Sequence, residues 1–267
     1  MDASEGTEVD RRIGLPVAAI AVVTVLAIVP VLGDHPLTRS AGLLVVAIAA
    51  VGAYMVRSVP VVRASVVLGS LMALFLLANS IGVPPAVVTV LSGAIPLGVL
   101  AYLNRYAWLR PAMPWMQRGR ASRGMLAFGL LTIVLAGLAL VLWTLIVDPD
   151  APAYLGDLQE RPVWVGIAGI IAFALVNPIW EEVIFRGVVQ HELSEAWNVR
   201  AAIVVQAVLF GAAHWAGFPS GWSGSVMAAG WGCALGIIRV RTRGMLLPYV
   251  VHAGADATIG SLALFLL

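Results

Sequence analysis

The chain has 267 residues, 61% of them hydrophobic and 11% charged, with a formal net charge of +2 and a mean hydropathy of +0.96. Soluble domains run at about 45–50% apolar and about 25% charged, so a water-soluble fold is excluded for lack of polar surface. The basic residues, all arginine, sit in short loops between apolar runs rather than on one face, which excludes a nucleic-acid binder, and the single cysteine, Cys233, excludes an internal disulfide or a cysteine-based metal site.

Residues 1–10 are polar and acidic and are expected to form a disordered tail. Arg11 and Arg12 then precede an apolar run at 13–32, read as an uncleaved first helix because many further runs follow. Those runs fall at 41–56, 61–82, 85–103, 125–147, 162–193, 200–217, 223–238 and 245–266. Most approach the length of about 20 residues that a helix needs to cross a hydrocarbon core. The expected fold class is therefore all-α, a polytopic membrane helix bundle with about eight or nine transmembrane helices. Gly232 and Gly236 form a small-xxx-small pair that lets helices approach closely.

Arginine placement sets the expected orientation. With the N-terminus in the cytoplasm, Arg57, Arg63, Arg105, Arg110, Arg118, Arg120, Arg123, Arg239, Arg241 and Arg243 all fall inside. Asp34, Asp148, Asp150, Asp157 and Glu160 fall outside, with only Arg39 and Arg161 as basic exceptions, and the C-terminus ends outside. The expected location is the cell membrane, with multiple passes. The basic loop 104–124 divides the chain into a cytoplasmic tail at 1–12, a four-helix membrane region at 13–124 with no role legible in it, and a region at 125–267 that carries the unusual polar residues.

Ionisable groups at membrane depth are costly and point to function. Three clusters qualify: Glu181, Glu182 and Arg186; Phe210 and His214; His252 and Asp256. Glu182 and Arg186 are spaced i,i+4 in the order that favours a helical ion pair, and Glu181, about 100° further round, faces elsewhere. His252 and Asp256 share a face, as do Phe210 and His214. Counted along the helices, Glu181 lies roughly 18 Å, His214 roughly 21 Å and His252 roughly 12 Å from the cytoplasmic ends, so the three clusters can meet in one cavity. Such a group suits water activation, with Glu181 as proton acceptor, His214 positioning the water and His252 stabilising an oxyanion. The same residues suit metal binding, because two histidines and a carboxylate form a common catalytic zinc set. The cofactor is left open, and the ligands of a divalent metal such as zinc would be Glu181, His214 and His252.

Taken in order, Glu-Glu-x-x-x-Arg, Phe-x-x-x-His and His-x-x-x-Asp, each in an apolar run, resemble the signature of the CPBP family. That family comprises the type II CAAX prenyl endopeptidases and the prokaryotic Abi or bacteriocin-processing proteins. The resemblance covers roughly residues 125–267 and implies a helical intramembrane endopeptidase of a family often described as metalloproteases. Glu181 and His214 would activate water, His252 and Asp256 would form the oxyanion site, and Glu182 and Arg186 would hold the catalytic helix. The eukaryotic prenyl-protein enzymes carry Asn where this chain has Asp256, and an ionised Asp256 cannot donate to an oxyanion. The implied partners are membrane lipids and a membrane-anchored or lipidated protein or peptide substrate, with no nucleic acid.

Other readings remain at this point. A non-catalytic immunity or scaffold protein, or a transporter with a midplane site, fits the same composition. Gly221-Trp222-Ser223-Gly224 resembles the serine motif of rhomboid proteases, with His252 as base. His191-Glu192-Leu193-Ser194-Glu195 begins like a zinc helix but lacks its second histidine, and is expected to be a solvated helix end.

Overall fold

The computed structural model describes residues 3–28, 36–147, 149 and 162–266, and all regular structure among them is helical. The helices are α1 (Ala3–Ile28), α2 (Pro36–Met55), α3 (Val59–Ile81), α4 (Pro85–Leu103), α5 (Arg123–Val147) and α6 (Val163–Glu181). α6 runs on through a π-helical stretch, Glu182–Val189, into α7 (Gln190–Ala196), and α8 (Val199–Ala213), α9 (Gly221–Thr242) and α10 (Leu246–Leu266) complete the bundle. Six helical stretches are long and apolar enough to cross a membrane, and Ile13–Ile28 and Val199–Ala213 are shorter apolar helices. The protein is a multi-pass helical membrane bundle.

Local chemistry sets the helix ends. Pro at the first turns of α3 and α4 supplies a preset φ where no intrahelical donor is needed. Gly82, at φ 67°, closes α3 by donating its N–H to the Ala78 carbonyl. The Asn198 side chain accepts from the Ala201 amide at 2.9 Å and starts α8. The acidic stretch expected to be disordered belongs from Ala3 onward to α1. Asp34, Asp148, Asp150, Asp157, Glu160 and Arg161, on which the outer-side assignment leans, lie outside the described residues.

The four N-terminal helices and the C-terminal region share one core. It joins Val17 and Ile20 of α1, Val67 and Leu71 of α3, Val188 of the π stretch and Phe210 of α8. The loop after α4 is packed as well: Leu109, Ala112 and Trp115 are buried, and a Cβ added to Gly187 would meet the Trp115 ring at 2.8 Å. α5 differs. It leans on α9 and α10 through Met125 and Ile133 and leaves Leu130, Leu131, Leu138 and Leu142 exposed, an apolar face suited to lipid.

Arg63 and Glu192 correct the sequence reading. Arg63 is a buried residue of α3, not a loop marker of topology, and Glu192 is 1% exposed rather than solvated. The Arg63 Nε lies 2.8 Å from Glu192 Oε1, its Nη2 donates to Oε2 at 2.9 Å, and its Nη1 donates to the Pro111 carbonyl at 2.7 Å. The pair ties α3, the loop after α4 and α7 together. The surrounding helices bury each partner, and neither stretch of sequence reveals the other.

Candidate active site

α6 carries an amide and two carboxylates toward α10. Pro178 interrupts its hydrogen-bond ladder, and the chain widens into the π-helical stretch directly after Glu181. Such bulges recur at functional sites because they re-aim side chains. Glu182 and Arg186 form the expected ion pair, with Nη1 2.9 Å from Oε1 and both side chains buried. Arg186 also donates from Nη2 to the Gly232 carbonyl at 3.4 Å and lies 4.4 Å from the centre of the Phe210 ring.

Glu181 and Glu182 do not face apart as their offset implied; they straddle one imidazole. Glu182 Oε1 lies 2.8 Å from His252 Nδ1, and Glu181 Oε2 lies 3.4 Å from His252 Nε2. The two nitrogens open to opposite sides of the ring, so adjacent residues of α6 and the π stretch reach both. Asp256 Oδ1 stands 3.7 Å from the same Nε2, close enough for electrostatic contact but too far for a hydrogen bond. Three carboxylates thus meet one guanidinium and one imidazole, all buried. The Glu181 Oε2 has no hydrogen-bond donor among the described residues.

Asn177 is the residue that the sequence reading missed. Its Nδ2 donates to Glu181 Oε1 at 3.0 Å and to Asp256 Oδ2 at 3.1 Å. The Trp180 Nε1 donates to Asn177 Oδ1 at 3.0 Å, and because an indole nitrogen only donates, this contact sets the amide with its NH₂ toward the carboxylates. The available signal was a carboxamide inside an otherwise apolar run, one helical turn before Glu181.

His214 sits differently from expectation. α8 ends at Ala213, so His214 is the capping residue rather than a mid-helix group, and it is half-buried. Its Nδ1 lies 2.8 Å from the Phe210 carbonyl oxygen. No hydrogen bond joins it to Glu181 or His252 among the described residues. Phe210 connects the two histidines instead, with its ring centre 4.5 Å from that of His214 and 5.8 Å from that of His252.

Both histidines and Asp256 line one cavity of about 360 Å³. Its remaining wall is largely apolar, with Phe128 and Leu135 from α5 and Met227 and Trp231 from α9. Phe128 and Leu135 belong to α5, whose other face exposes Leu130, Leu131, Leu138 and Leu142, so the cavity lies beside an apolar face suited to lipid. A second cavity, of about 380 Å³, lies on the far side of α6, where Asn177 and Trp180 meet Asn79, Thr89 and Ser92 of the N-terminal helices.

The glycine pair behaves as its spacing predicts. Gly232 and Gly236 let α9 approach its neighbours, and their bared carbonyls accept from Gln206 Nε2 at 2.9 Å and Gln190 Nε2 at 3.1 Å. Cys233 is free and half-buried. Among the described residues no group of three or more His, Cys, Asp or Glu is placed to hold a metal ion.

A buried cluster of carboxylates and histidine beside an apolar cavity, inside a helical membrane bundle, makes this the candidate active site. Residues 162–258 match the family model described as Type II CAAX prenyl endopeptidase Rce1-like, a segment that contains all seven expected site residues. This match supports the likeness of the segment to the CPBP family of membrane proteases. No curated protein and no solved structure matches the chain. α5, which walls the cavity, precedes the matched segment.

Proposed function

We propose that the protein is an intramembrane endopeptidase that hydrolyses a peptide bond in a membrane-anchored or lipidated protein or peptide, with Glu181 as general base. The observation that carries this reading is the Glu181 carboxylate, held by Asn177 through one oxygen while the other, without a donor, points toward His252 Nε2 at 3.4 Å. A water between Glu181 and the substrate carbonyl gives its proton to Oε2, and its oxygen attacks the carbonyl carbon. His252, with Nδ1–H donated to Glu182, presents Nε2–H to the oxyanion, and the nearby carboxylate of Asp256 supports that charged form. His214, on the same cavity wall, orients the water or the substrate carbonyl. Collapse of the tetrahedral intermediate breaks the C–N bond, and Glu181 returns its proton to the departing amine. Asn177 keeps Glu181 and Asp256 in register, an amide supplied from α6 where the related prenyl-protein enzymes have one at the position of Asp256.

The apolar cavity beside lipid-facing α5 suits a lipid-anchored chain that arrives through the bilayer. The arginine distribution supports an orientation with the N-terminus in the cytoplasm and the C-terminus outside. A serine mechanism finds no support: the Ser223 hydroxyl accepts from Trp143 Nε1 at 3.0 Å, and Ser223 does not line the cavity that holds His252. The test is proteolysis by the liposome-reconstituted protein against a library of lipidated and plain peptides, alongside Glu181→Gln and Ser223→Ala. Cleavage lost in the first and kept in the second supports the reading; cleavage that survives Glu181→Gln overturns it.

A further inference from the structure

Opposite the site, where α9 turns into α10, four arginines from two distant segments converge on one cavity of about 620 Å³. Arg118 and Arg120 come from the loop before α5, and Arg241 and Arg243 come from the end of α9. Backbone contacts fix the two segments together: the Arg120 amide donates to the Thr242 carbonyl at 2.9 Å and the Met245 amide to the Gln117 carbonyl at 2.7 Å. The approach needs glycine on both sides, since a Cβ at Gly119, whose φ is 76°, would stand 2.5 Å from the Thr242 oxygen and 2.8 Å from Gly244 Cα.

No carboxylate lines this cavity, and none of the four arginines has an ion-pair partner among the described residues. Other arginines of the same membrane side are used differently: Arg57 lies over Trp108 and Arg105 over Tyr102, each at 5.9 Å. Positive residues that only orient a membrane protein need a count in short loops, not a shared concavity. Four cations around one hollow repel each other until a multivalent anion fills it, and guanidinium groups match phosphate oxygens in a two-pronged geometry. Two membrane-spanning stretches, Arg123–Val147 and Gly221–Thr242, end beside it, which sets the cavity at the level of lipid headgroups.

We infer that this cavity binds the phosphate-bearing headgroup of an anionic phospholipid. The site is separate from the carboxylate cluster, and the inference does not rest on the proposed hydrolysis. The test follows thermal unfolding of the detergent-solubilised full chain by tryptophan fluorescence while lipid is added. Phosphatidylglycerol or cardiolipin raises the unfolding midpoint saturably, and phosphatidylcholine does not. Arg118→Gln with Arg120→Gln, and separately Arg241→Gln with Arg243→Gln, each weaken that binding about tenfold or more, the loss expected for two charge-assisted contacts. Arg105→Gln with Arg110→Gln, the same charge change elsewhere on the loop, leaves it intact. Equal weakening by that control pair, or none by either cavity pair, overturns the site. Saturable stabilisation by inorganic phosphate or pyrophosphate, with none by the anionic lipids, overturns the lipid assignment in favour of a soluble phosphate compound.

Discussion

Among the described residues two buried arginine–glutamate pairs stand out, and they are built on opposite principles. Arg63 and Glu192 form a closed unit: the guanidinium spans the carboxylate, with Nε 2.8 Å from one oxygen and Nη2 donating to the other, while Nη1 donates to the Pro111 carbonyl. Arg186 and Glu182 belong to an open one, in which two further carboxylates, an imidazole and an amide crowd the same space and one Glu181 oxygen lacks a donor. A closed pair fixes helices in place. An open cluster with surplus negative charge and a free acceptor is a poor way to hold helices and a good way to move a proton. The N-terminal region, which looked featureless as sequence, supplies Arg63 of the closed pair and so holds the chain that runs on from the helix carrying the open one.

That contrast breaks most sharply at Glu181. Glu181→Gln keeps the shape and is expected to lower proteolysis by about 10²–10⁴-fold while the unfolding midpoint stays near wild type, the signature of a general base. A large stability loss with unaltered turnover of the remaining folded protein would make Glu181 structural and erase the distinction. The reverse pattern is expected for the closed pair. Arg63→Ala or Glu192→Ala strands a buried charge and should cost about 3–5 kcal/mol in denaturant unfolding, whereas replacing both by Met should restore most of it.

Smaller effects sharpen the comparison inside the open cluster. His214→Ala is expected to reduce kcat by about 10²-fold, as for loss of one group that orients a reactant. Asn177→Ala removes two hydrogen bonds to carboxylates and should lower kcat about tenfold with KM unchanged, since Asn177 positions Glu181 and does not line the apolar cavity. A rise in KM alone would assign Asn177 to substrate binding instead. The smallest effect belongs to Ser223→Ala, which loses one hydrogen bond from Trp143, about 1 kcal/mol of stability, and no activity.

Much of this was legible in the chain. The apolar runs located the helices closely, and the spacing of Glu182 with Arg186 predicted the ion pair that forms. Three short motifs, far apart in sequence, indicated a common site, and the structure joins two of them directly at His252 and the third through Phe210. Other features escaped. Glu181 and Glu182 were expected on different faces, yet they share His252, because the π stretch and the two-sided imidazole bring both within reach. Asn177 escaped because an amide carries no charge to mark it, and its role exists only once α10 brings Asp256 alongside.

The sequence by itself determined that the protein lives in a membrane, that it is helical, and which ionisable residues are costly enough to demand a reason. These properties depend on hydropathy, helical period and the price of charge in a bilayer, all of which act locally along the chain. Tertiary structure alone decided that Arg63 and Glu192 are partners, that Asn177 bridges two carboxylates, that α5 walls the cavity, and that four loop arginines face one hollow. The physical reason is the same in each case. A side chain's hydrogen bonds and counter-charges come from helices distant in sequence, and only their packing determines which groups meet and which are left unsatisfied.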